Sequence, residues 1–145
     1  MITSSLPMST PAARPPATKA AALKVLVAED NELNQMLALA MLESLGQEAS
    51  LAVNGREAVE ACNAGSYDLV FMDIQMPEID GYEATRRLRE LHADGIYIIA
   101  MTANAMEGDR EACLQAGMDD YISKPVSRAS LQAALARFKQ RRGAS

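Results

Sequence analysis

The sequence predicts an α/β fold, a doubly wound (βα)5 three-layer sandwich around a five-stranded parallel sheet. Three observations carry that prediction. Short apolar runs alternate with helix-period segments five times between Leu23 and Arg141, which is the rhythm of βα units. Two of the runs, Leu69 to Asp73 and Ile96 to Met101, are apolar almost throughout, as central strands covered on both faces must be. Carboxylate, hydroxyl and ammonium side chains follow the runs, at the strand ends where open α/β sheets hold their chemistry.

The first strand is Leu23 to Ala28. A helix follows from about Glu32 to Leu45, with Leu33, Met36, Leu37, Ala40, Met41 and Leu45 at three-and-four spacing as its expected inward face. Gly46 ends it. The second strand, about Glu48 to Val53, alternates Ala49, Leu51 and Val53 with polar residues, so it is expected at an edge with one covered face. Asn54-Gly55 turns the chain into a helix from about Arg56 to Ala64 that buries Ala58, Val59 and Cys62. After Gly65, the strand Leu69 to Asp73 delivers Asp73 to the C-terminal edge of the sheet.

The third helix, Gly81 to His92, faces inward with Ala84, Leu88 and Leu91. Its Arg86, Arg87, Arg89 and Glu90 read as solvated surface. The fourth strand ends at Thr102. A helix from about Met106 to Ala116, then Gly117, leads to a short strand, Asp120 to Ser123, followed by Lys124-Pro125. The last helix, Ser127 to about Arg141, packs Leu131, Ala134, Leu135 and Phe138, and its basic end suits the negative helix terminus.

At 145 residues the chain holds one ordinary domain. Residues 1–22, with Pro7, Pro11, Pro15 and Pro16 among Ser, Thr and Ala, cannot bury a core and read as a disordered tail or linker. The domain spans 23–141, and 142–145 read as a flexible C-terminus. A net charge of -5 without a basic stripe argues against nucleic acid and anionic membrane as direct ligands. No apolar run approaches a spanning helix or signal peptide, so a cytoplasmic location is expected. Cys62 and Cys113 lie in helical patterns beside alanines and suit reduced core thiols. His92, the single histidine, has no second ligand at metal spacing and reads as surface.

The strand ends collect Glu29 and Asp30, Asp73, Thr102 and Lys124 at one edge of the sheet. Each alone has an ordinary explanation, as a helix cap or a surface charge. Together they form three carboxylates that repel unless a divalent cation joins them. All-oxygen ligands point to a hard ion, and Mg²⁺, which keeps several waters, suits the set better than zinc. In that setting Asp73 is a candidate nucleophile for phosphoryl transfer, with Lys124 and Thr102 holding phosphoryl oxygens. Pro77 limits the conformations of the following loop and Gly81 permits entry into the next helix.

The segments Leu26-Val27-Ala28-Glu29-Asp30-Asn31, Met72-Asp73-Ile74-Gln75-Met76-Pro77-Glu78-Ile79-Asp80-Gly81, Met101-Thr102-Ala103 and Lys124-Pro125 resemble response-regulator receiver domains. The match runs from about Lys24 to Lys139. Glu29 to Gln35 and Gly117 to Pro125 are most similar to receivers attached to hybrid histidine kinases. The resemblance implies a flavodoxin-like sheet of order 2-1-3-4-5. It also implies that Asp73 accepts a phosphoryl group from the phosphohistidine of a histidine kinase or histidine phosphotransfer domain. Asp30, Asp73 and the backbone carbonyl of Gln75 would ligate Mg²⁺, with Glu29 assisting through water. Thr102 and Tyr121 would form a switch pair that remodels the face of the fourth helix, fifth strand and fifth helix. Pro125 stands where the family has a cis peptide, whereas Tyr97 replaces a frequent proline.

Other readings meet missing residues. A free-standing regulator and a module of a larger kinase are both compatible with the sequence. A dehalogenase-like phosphatase wants a second acid two residues after its nucleophile, and Gln75 stands there. A nucleotide-binding domain lacks any G-x-G-x-x-G or G-x-x-x-x-G-K-[ST] loop. No small-molecule turnover is expected from this chain itself.

Overall fold

A computed structural model describes residues 23–65, 67–92, 95–103 and 109–144. The expected tail, residues 1–22, lies outside them. Strands β1 (Lys24–Ala28), β2 (Glu48–Ala52), β3 (Leu69–Asp73), β4 (Tyr97–Thr102) and β5 (Asp120–Ser123) alternate with helices α1 (Glu32–Ser44), α2 (Gly55–Ala64), α3 (Gly81–His92), α4 (Asp109–Ala116) and α5 (Arg128–Ala144). All strand pairings are parallel, in the order β2-β1-β3-β4-β5. The expected start of the fourth helix, near Met106, falls outside the described residues, as does the side chain of His92. Among the described residues no helix is long and apolar enough to cross a membrane.

Because successive strand residues point to opposite faces, β1, β3 and β4 feed two cores. Leu26, Ala28, Val70, Met72, Ile98 and Ala100 pack with Ala58, Cys62, Ala84, Leu88 and Cys113 of α2, α3 and α4. Val25, Val27, Phe71, Ile99 and Met101 pack on the other face with Ala38 and Leu42 of α1 and Leu131, Ala134, Leu135 and Phe138 of α5. The two free cysteines are buried, and burial pushes the Cys62 thiol up to about 11.

Three faces differ from the sequence expectation. In α1 the buried residues are Ala38 and Leu42, while Leu33, Met36 and Leu37 are exposed. This helix is apolar around most of its circumference, so spacing alone could not choose the inward side. On β2, Ala52 is buried and Leu51 and Val53 are exposed, since an edge strand is covered only where a helix crosses it. On α3, Leu91 is exposed rather than inward, lying at the last turn beyond the reach of the core. The last helix continues through residues 142–144. Arg142 holds them, with its guanidinium 3.0 Å from Asp68 and 5.4 Å over the Phe138 ring.

Candidate active site

Glu29 and Asp30 follow β1 directly. Asn31 then caps α1, its side chain accepting the Asn34 N–H at 3.0 Å. Glu29 is buried, and its Oε2 accepts the Asn31 N–H at 3.1 Å. Asp73 is the last residue of β3, paired in register with Met101 and only 2% exposed. Thr102 ends β4 and is buried. Its carbonyl accepts the Lys124 N–H at 2.8 Å, which holds the residue after β5 against the end of β4. The Lys124–Pro125 peptide is cis.

These backbone placements bring the side chains together. Lys124 Nζ lies 3.1 Å from Asp73 Oδ1 and 3.3 Å from Glu29 Oε1. Carboxylate oxygens of Glu29, Asp30 and Asp73 all lie within 4.8 Å of one another. Burial first and the Glu29 charge second push the Asp73 carboxyl up to about 6, against the opposing pull of Lys124. Burial lowers the Lys124 ammonium, but its bond to Asp73 and the charges of Asp73 and Glu29 outweigh that effect and raise it. Two carboxylates and one ammonium thus share a largely buried site beside a third, exposed carboxylate. Such a donor set fits a small hard divalent ion, which would offset the surplus negative charge.

The loop after β3 shapes the opening. Gly81 sits where any Cβ would collide with the Asp73 carbonyl, and its N–H donates to the Ile74 carbonyl at 2.8 Å. Glu78 adopts φ 67, and Asp80 accepts the Glu83 N–H at 2.9 Å as α3 begins. The resulting cleft of about 650 Å³ is lined by Asp30, Asp73, Gln75, Thr102 and Lys124, among others. Tyr121 lies one strand away on β5, partly buried against the α2–α4 side of the sheet, with the Arg110 guanidinium 6.0 Å over its ring. Five predicted residues therefore converge at one edge: Glu29, Asp30, Asp73, Thr102 and Lys124. Gln75 borders the same cleft.

Two residues received no role from the sequence. Gln35 Nε2 donates to the Glu29 carbonyl at 2.8 Å. Arg89, read as solvated surface, is partly buried and bonds Asp119 Oδ2 at 2.6 Å, the Gly117 carbonyl at 2.8 Å and the Ile96 carbonyl at 2.6 Å. Most of these partners are backbone carbonyls, which leave no mark in a residue pattern.

The parallel sheet of this order carries an acidic, lysine-bearing cleft at its strand ends, which makes the chain a doubly wound α/β protein. The family model of the response regulator receiver domain matches residues 25–136. The chain belongs to that family. It is 40% identical over 121 residues to hybrid signal transduction histidine kinase K of Dictyostelium discoideum, covering 78% of this chain and 10% of that protein. It is 40% identical over 125 residues to the histidine-protein kinase BarA of Escherichia coli K12, covering 86% of this chain and 14% of that one. The chain thus spans only a small fraction of these relatives.

Among solved structures, the receiver domain of sensor histidine kinase PA1611 from Pseudomonas aeruginosa PAO1 aligns with TM-score 0.74 and 47% identity. That match covers 81% of this chain and 97% of the other, which carries a magnesium ion in its active-site cleft. The Saccharomyces cerevisiae receiver domain of Ssk1, co-crystallised with the histidine phosphotransfer protein Ypd1, gives TM-score 0.76 at 31% identity over 80% of this chain and 88% of that chain.

Proposed function

We propose that this receiver domain accepts a phosphoryl group on Asp73 from a phosphohistidine in a two-component phosphorelay. The observation that carries the reading is Asp73 itself, buried at the end of β3 with Lys124 at 3.1 Å and two further carboxylates alongside. An Asp73 oxygen forms the new bond to phosphorus as the phosphorus–nitrogen bond of the donor breaks, and the imidazole leaves with the electron pair. Lys124 and the Thr102 hydroxyl hold phosphoryl oxygens. Glu29, Asp30, Asp73 and the Gln75 carbonyl are the groups that would hold Mg²⁺. When bound, the ion neutralises charge on the attacking carboxylate and on the transferring group. The acidic cluster and the magnesium in the related Pseudomonas receiver support that assignment.

The partner is a histidine kinase or a histidine phosphotransfer domain, in line with the yeast receiver crystallised with such a protein. The hybrid kinases among the relatives support a place as one cytoplasmic module of a longer sensor kinase. Phosphorylation adds about -1.5 to -2 charge and new acceptor oxygens, which draw Thr102 inward and let Tyr121 follow. The face formed by α4, β5 and α5 changes as a result.

Incubation with a small phosphodonor and Mg²⁺, followed by intact-mass measurement, tests the reading. A gain of one phosphoryl group that is lost in Asp73→Asn is expected. A gain that persists in that variant rules out Asp73.

A further inference from the structure

Asp30 is the exposed member of the acidic cluster. Among the described residues its carboxylate has no hydrogen bond or ion pair. The backbone that carries it sets the direction of its Cα–Cβ bond and so the region its carboxylate can reach. That backbone is fixed at two points, on either side of Glu29. The Glu29 N–H donates to the Ala52 carbonyl of β2 at 3.0 Å, which simply continues the sheet. The Glu29 carbonyl, one end of the peptide joining Glu29 to Asp30, accepts Gln35 Nε2 at 2.8 Å. Gln35 is well placed to act as a stay. Its own N–H closes the first turn of α1 onto the Asn31 carbonyl at 2.9 Å, so the amide is mounted on a capped helix.

We propose that Gln35 is a positioning residue for Glu29 and Asp30, the two neighbouring carboxylates of the proposed Mg²⁺ site. It fixes the plane of the peptide between them and so the direction in which Asp30 leaves the chain. The bond also satisfies a part-buried carbonyl that would otherwise lose a partner. This inference rests on the phosphoacceptor reading. It goes beyond that reading by naming a residue that touches neither the ion nor the phosphoryl group.

The test uses the full chain and three proteins: wild type, Gln35→Met and Gln35→Arg. Methionine keeps the length and helix preference but removes the donor; arginine restores a donor. Mg²⁺ affinity is measured by calorimetry, and phosphorylation by a small phosphodonor is followed across Mg²⁺ concentrations. Gln35→Met is expected to weaken Mg²⁺ binding about tenfold, with the rate at saturating Mg²⁺ within about twofold of wild type. Gln35→Arg is expected to recover the affinity. Unchanged Mg²⁺ affinity in Gln35→Met overturns the proposal. So does equal weakening in both variants, which would indicate packing rather than the donated bond. A lower saturating rate at unchanged affinity overturns it too. A wild-type chain that binds no Mg²⁺ and takes up no phosphoryl group defeats the phosphoacceptor reading instead.

Discussion

Asp73 is a carboxylate held where its own charge is unwelcome. Burial and the neighbouring Glu29 raise it to about 6, above the value of about 4 for an unfolded aspartate. A folded-state value above the unfolded one means that this residue's contribution to stability is fully present below about pH 4 and is lost as the pH rises through about 6. Without Mg²⁺, thermal stability should therefore fall between about pH 4 and pH 7, most steeply near pH 5, with this residue contributing. Asp73→Asn removes the buried charge and should stabilise the metal-free protein near pH 7 by roughly 1–3 kcal/mol. Chemical denaturation of the two proteins at both pH values checks it; an Asn variant less stable than wild type at the higher pH contradicts it. The sequence identified Asp73 by its place after four apolar residues. It could not give the ionisation, which depends on Glu29 and Lys124 arriving from two other strands.

Helix α1 carries a second expectation. Leu33 and Met36 are 62% and 67% exposed, although the helix starts two residues after Asp30, beside the cleft. An apolar outer face on a helix that already buries its other side is normally covered by a partner. A protein that presents a phosphohistidine to Asp73 has to cover the rim of that cleft, so we expect it to seat on this face. The double variant Leu33→Glu, Met36→Glu should slow phosphotransfer from a phosphorylated histidine phosphotransfer protein by about tenfold or more. Phosphorylation by a small phosphodonor should be unaffected, and stability should move by no more than about 0.5 kcal/mol. Equal slowing with both donors would refute the assignment. Their three-and-four spacing predicts that the same leucine and methionine lie in the core. Leucine, alanine and methionine fill most of the helix, and only the sheet beneath decides which side is inside.

Across the whole molecule, Arg89 is the clearest long-range tie. From α3 it reaches the Gly117 carbonyl after α4, Asp119 before β5 and the Ile96 carbonyl before β4. Asp119 in turn accepts the Ile98 N–H at 2.8 Å. Arg89→Met leaves these acceptors without their cation and should cost about 2–4 kcal/mol in urea unfolding. A loss no larger than that of Arg86→Met, whose bond to Glu83 is exposed, would show that the tie carries little.

The five βα units, the strand order through the family resemblance, and the five side chains gathered at the strand ends are all legible in the residue pattern. Those features are local: apolar runs, helix stops at residues such as Gly46, and functional residues at the ends of four of the five runs. The inward face of α1, the brace of Gln35 on the Glu29 carbonyl and the partly buried tie made by Arg89 come from the three-dimensional arrangement alone. Each of these depends on a partner distant in the chain or on a backbone atom, and neither leaves a periodic trace in the residues themselves.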